Sequence, residues 1–147
     1  MPLLNYTTTI QAAKTVNEIT EILRKHHASA IIQNYNNDSI ESLSFEVQTQ
    51  HGAAHILLPV NIEAVYKVMQ REYNTGHIPH RLICREQAIR IAWRILKDWV
   101  EAQMAILDTE MVKMEQIFLP YIIHQSGLTL FEVFENRKML TTGETNE

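Results

Sequence analysis

Apolar positions near the amino end alternate with polar ones in short stretches, and then change to helical spacing. In LNYTTTI, Leu4, Tyr6, Thr8 and Ile10 alternate with Asn5, Thr7 and Thr9, which predicts a strand. Thr15 followed by Glu18 has capping-box spacing ahead of Val16, Ile19, Ile22 and Leu23, so a helix is expected from about Val16 to His27. AIIQNY predicts a second strand and ends in the turn cluster Asn36-Asn37-Asp38-Ser39. In IESLSFEVQT, Leu43, Phe45 and Val47 face one way and Ser42, Ser44, Glu46 and Gln48 the other. The chain reverses at His51-Gly52 into AHILLP, giving an antiparallel meander that Pro59 ends.

Beyond Pro59 the periodicity is helical. Asn61 is positioned as an N-cap, with Glu63 in the first turn, for a helix reaching about Tyr73. Gly76 and Pro79 interrupt the chain. No Gly or Pro follows from Arg85 until Pro120, which predicts one helix over 85–118, 34 residues and about 51 Å long. Such a rod overhangs its own domain unless it kinks near Asp108-Thr109. Thr129 and Glu132 repeat the capping-box spacing for a short last helix, LFEVFENRK.

The order implies an α+β domain over residues 1–147: an antiparallel sheet of about four strands covered by helices, with one very long C-terminal helix. Residues 1–60 hold the sheet and one helix, 61–138 are helical, and 139–147 form a tail. Two apolar seams share the long helix. One contains Trp93, Val100, Leu107, Met111, Met114 and Phe118, and together the two make an apolar face wider than a surface stripe. Its expected cover is a second copy of the chain, which predicts a homo-oligomer. The competing arrangement is a kinked hairpin packed within one subunit. Trp93 and Trp99 read as packing anchors.

Charge changes this picture. The net charge is −4, yet residues 67–97 hold seven of the thirteen Lys and Arg and only two of the seventeen acids. That segment carries +5 and the remainder −9. Glu86, Arg90, Arg94, Lys97 and Glu101 recur at helical steps on the face opposite the seams. They form either a solvated face of i,i+4 pairs or an anion-binding face. The preceding loop adds Tyr73 as a stacking ring, Asn74 and His80 as hydrogen-bonding groups, and Arg81 and Arg85 as phosphate forks. The expected ligand-binding set is therefore Tyr73, Asn74, His80, Arg81, Arg85, Arg90 and Arg94, and the expected ligand a small anionic nucleotide.

Other chemistry is thinly represented. Cys84 alone excludes an internal disulfide, and beside Arg85 it reads as a packing residue or a reactive thiol. The histidines lack the carboxylate spacings of a metal site, and there is no Gly-rich phosphate loop or nucleophile elbow. No metal, cofactor or catalytic residue is expected. The absence of a leader or a long apolar run points to a cytoplasmic protein without membrane contact. The acidic remainder opposes binding to long nucleic acids, although a basic face leaves direct nucleic-acid binding as a rival reading.

The run REQAIRIAWRILKDWVEAQMAILDTEMVKMEQIFLPYI, with NYTTTI upstream and LPVN before the second helix, resembles a family of small uncharacterised proteins carried by bacteriophages and prophages. In order of elements and size the chain is also similar to phage sponges that sequester the nucleotide signals of host immunity, the anti-Thoeris and anti-CBASS type. The resemblance implies a non-enzymatic nucleotide-binding protein acting in the host bacterial cytoplasm to counter defence. A protein-interaction module that blocks a host defence protein is the alternative from another class.

Overall fold

The computed structural model describes residues 2–142. Helix α1, Ala12–Lys25, buries Thr15, Val16, Ile19 and Leu23 at three- and four-residue steps. It starts ahead of the expected capping box. Gln11 is its N-cap without a side-chain bond, and Thr15 lies inside the helix with its hydroxyl 3.5 Å from the Gln11 carbonyl. The helix stops where His27 takes φ +72° and the Ala28 amide donates to Leu23 O.

Three strands follow: β1 (Ala30–Asn36), β2 (Ser39–Thr49) and β3 (Gly52–Leu57), in the antiparallel order β1-β2-β3. Asn37 supplies the positive φ that the first hairpin needs, and Gly52 (φ +114°) supplies it for the second. The expected alternation in β2 holds: Leu43, Phe45 and Val47 are buried against α1 and the later helices.

The fourth expected strand, over 4–10, is absent. Asn5 at φ +63° bends this arm into turns, with Tyr6 N donating to Leu3 O and Thr8 N to Asn5 O. Its β-branched alternation lost to packing, because Leu3 and Tyr6 sit against a second apolar cluster of Met69, Ile78, Ala88 and Ile91. Side chains strap the arm down: Leu3 N donates to Glu72 Oε2 and Asn5 Nδ2 to Asp98 Oδ2.

Helix α2, Ile62–Asn74, begins as expected, with the Ala64 amide donating to Asn61 Oδ1 at 3.1 Å. Helix α3 runs only from Arg85 to Asp108, 24 residues, so no helix spans 85–118 and no very long C-terminal helix exists. Thr109 ends it by turning its hydroxyl to the Ile106 carbonyl, and Glu110 follows at φ +61°. The chain folds back into α4, Met114–Phe118, then a single 3-10 turn, and closes with α5, Leu130–Asn136. Thr129 and Glu132 form the expected capping box of α5.

The break changes where the seam goes. Phe118 is returned to the core and stands edge-on to Phe45 (5.5 Å) and Trp99 (5.7 Å). Trp93, Val100 and Phe118 are each 0 % exposed, while Leu107 and Met114 pack half-buried against the same cluster. The expected oligomer seam is thus consumed within one chain, and only Met111 of that set stays exposed. Each buried Val or Phe of this kind contributes about 1.5–3 kcal/mol, which outweighs the positive-φ cost at the corner. No helix of the described residues is long and apolar enough to cross a membrane.

Candidate functional site

Helices α1 and α3 run parallel. Thr8 lies by Gln87, Glu18 by Arg94, and His26 by Asp108, so residue numbers rise together along the two. This packing governs the basic residues of α3. Arg94 is no solvated fork: its Nη1 donates to Glu18 Oε2 at 2.6 Å and lies 3.5 Å from Thr15 Oγ1, with the side chain 18 % exposed. Lys97 is tied to Glu101 one turn along. Of the two readings of this face, the i,i+4 pairing holds at Lys97–Glu101, whereas Arg94 meets α1 and Arg90 is joined through Gln87 to the amino-terminal arm.

Arg85 is also engaged. Its guanidinium pairs with Glu63 of α2 and lies 4.8 Å from the centre of the Tyr66 ring. The Arg85 hydrogen bond holds the Glu63 carboxyl below its ordinary value, and Glu63 in turn raises Arg85. Tyr73 and His80 touch each other, ring centres 5.3 Å apart, and Asn74 is the exposed last residue of α2.

Arg81 and Arg90 are placed differently. Both line a cavity of about 520 Å³ with Thr7, Thr8, Thr9, Gln11, Leu82 and Gln87. Among the described residues neither arginine pairs with a carboxylate, and no acid lines the cavity. Gln87 organises the floor. Its Nε2 donates to both Tyr6 O and Thr8 O at 2.9 Å, and its Oε1 accepts from Arg90 Nε at 2.9 Å. Gln87 is 3 % exposed, and both N–H groups of its amide are used. Arg90 is held by one nitrogen, which leaves the two Nη groups of its fork for a ligand.

The arm supplies the other wall. Thr8 Oγ1 accepts from Ile10 N at 3.2 Å, and its hydroxyl proton remains to donate. Gln11 opens α1 without a side-chain cap, so first-turn amides add partial positive charge beside the arginines. Two guanidiniums, three hydroxyls and a helix start suit an anion with several oxygens. Among the described residues no three His, Cys, Asp or Glu side chains are grouped to hold a metal.

Two of the seven expected ligand residues, Arg81 and Arg90, therefore share a cavity; Tyr73, Asn74, His80, Arg85 and Arg94 do not line it. Sequence reasoning missed Thr7, Thr8, Thr9, Gln11 and Gln87. The signal was the Thr7-Thr8-Thr9 run just before a helix, which the strand pattern obscured. No family model, curated protein or solved structure matches the chain.

Proposed function

We propose that this is a non-enzymatic binding protein whose cavity between the amino-terminal arm and α3 holds a small phosphate-bearing nucleotide. One observation carries the reading: Arg81 and Arg90 share a cavity with three threonines, and among the described residues neither is neutralised by a carboxylate. The phosphate lies between the two guanidiniums and accepts from the threonine hydroxyls. The remaining volume, with Leu82 on its wall, takes sugar and base, and about 520 Å³ is within the usual range for small-ligand sites. Given the phage-like run in the sequence, the biological role we propose is sequestration of a nucleotide signal of host defence, with release rather than turnover ending the complex.

The test is calorimetry and thermal shift with inorganic phosphate, ADP-ribose, and cyclic di- and trinucleotides, alongside mass spectrometry of anything released on denaturation. At least one nucleotide should bind and be recovered unchanged. Arg81→Ala and Arg90→Ala should each weaken it about ten- to a hundred-fold, as expected for one charge-assisted contact. Arg85→Ala should leave binding intact, since its partners are Glu63 and Tyr66. A panel without a binder, or binding indifferent to both cavity arginines, overturns the reading.

A further inference from the structure

The two edges of the sheet are finished differently. On the β3 side the chain returns: Ile122 bridges Ile56, and the Ile123 amide donates to His55 O at 2.8 Å. On the β1 side no described segment pairs, so its outward amides and carbonyls are open. Natural edges are commonly guarded by lysine, proline, inward charge or shortness. Strand β1, AIIQNYN, is seven residues long without a single charge or proline. It also exposes two large apolar side chains, Ile32 at 47 % and Tyr35 at 58 %.

We propose that β1 is a pairing edge for a second copy of this chain. The two strands meet antiparallel and join two three-stranded sheets into one. Charge selects both the occupant and the direction. The chain enters β1 from Arg24 and Lys25 and leaves it into Asp38 and Glu41. Antiparallel pairing sets each copy's basic entry beside the other's acidic exit, whereas parallel pairing sets like beside like. Lys25, Asp38 and Glu41 have no ion-pair partner among the described residues, so they remain for this use. The molecule carries a net charge of −4, and the uncharged strand lets two identical copies approach without like charges facing across it.

The register follows. With Ile32 on the two-fold axis, Ile32 faces its own symmetry mate on the sheet face away from the helices, where it pairs with Ser44 within the chain. Ile31 then opposes Gln33 of the second copy and Ala30 opposes Asn34. The irregularity of β1 between Asn34 and Tyr35 falls at the end of this pairing, where it does not interrupt the ladder. This inference does not depend on the nucleotide reading, because none of these residues lines the arginine cavity.

Sedimentation velocity and light scattering from micromolar to submillimolar protein test the proposal. The expected species at the upper end has twice the 17.1 kDa chain mass. Ile32→Lys, which places a guard on the strand, should give a monomer with unchanged circular dichroism and Tm. Lys25→Glu alone should weaken the dimer, and Lys25→Glu with Asp38→Lys should restore it. Amide exchange over 31–34 should slow as concentration rises in the wild type and stay fast in Ile32→Lys. A wild-type monomer at submillimolar concentration overturns the proposal, as does a dimer that survives Ile32→Lys. Failure of the double charge reversal to restore a dimer weakened by Lys25→Glu overturns the antiparallel pairing.

Discussion

Gln87 joins three things that a glutamine is able to join: two carbonyls of the amino-terminal arm and the Nε of Arg90. Methionine has nearly its shape and none of its hydrogen bonds. Gln87→Met should leave the Tyr6 and Thr8 carbonyls without donors and cost about 1–3 kcal/mol, a fall in Tm of roughly 3–9 °C for a chain this size. Gln87→Glu keeps the acceptor for Arg90, loses both donors, and turns a carboxylate toward two carbonyl oxygens. Both variants should speed amide exchange over residues 6–10 and weaken phosphate binding, the first by freeing Arg90 and the second by neutralising it. If exchange in the arm is unaltered while Tm falls, Gln87 is a packing residue and does not latch the arm. Arg94 shows the opposite case of a polar group wholly spent on structure, because Glu18 meets it across the α1–α3 contact.

At the scale of elements, local chemistry was readable and long-range packing was not. Asn61 and Thr129 cap α2 and α5 because their oxygens need only amides three residues away, although the same spacing at Thr15 and Glu18 fell inside α1. The meander was readable for the same reason, with Asn37 and Gly52 at the turns and apolar Leu43, Phe45 and Val47 at alternate positions of β2. The arm failed as a strand because its fate depends on Gln87, about eighty residues distant. Arg81 and Arg90 were expected as anion ligands by type, but which arginines stayed unpaired was decided by Glu18 and Glu63, carried on other helices. No Gly or Pro marks the end of α3, yet the excessive length of an unbroken helix pointed to a kink near Asp108-Thr109, and the helix does end there. The corner makes a prediction whose sign discriminates. Glu110 sits at φ +61°, where glycine relieves about 1–2 kcal/mol and returns about 0.4–1 kcal/mol in unfolded-chain entropy. Glu110→Gly should therefore raise Tm by about 1–3 °C in calorimetry. In a continuous helix the same change costs about 1 kcal/mol, so a lowered Tm would mean that α3 runs through the corner.

For the whole molecule, the parallel packing of α1 and α3 has an electrostatic consequence. Both amino-terminal ends lie together, and the arginine cavity takes Gln11 from one and Gln87 and Arg90 from the other. Both carboxy-terminal ends also lie together, where His26 bridges Ile22 O through Nδ1 (2.9 Å) and Asp108 Oδ1 through Nε2 (3.1 Å). Parallel helices set like dipole ends side by side, which is unfavourable, and Glu86 in the first turn of α3 places a carboxylate at the amino-terminal side. A net charge of −4 works against any anion at long range, so attraction at the cavity must be short-ranged and local. Two results should follow in calorimetry. A nucleoside lacking its phosphate should bind at least ~10-fold more weakly than the phosphorylated form, since one charge-assisted contact is worth about 1.5–3 kcal/mol. Raising salt from about 0.05 to 0.5 M shrinks the screening length from above ~10 Å to below ~8 Å. Affinity should then fall by only a few-fold, because the arginine–phosphate contacts are shorter than either length. A nucleoside that binds as well as its phosphate would move recognition off Arg81 and Arg90. A steep log–log fall with salt would instead indicate a diffuse surface contacting many phosphates, as on a nucleic acid.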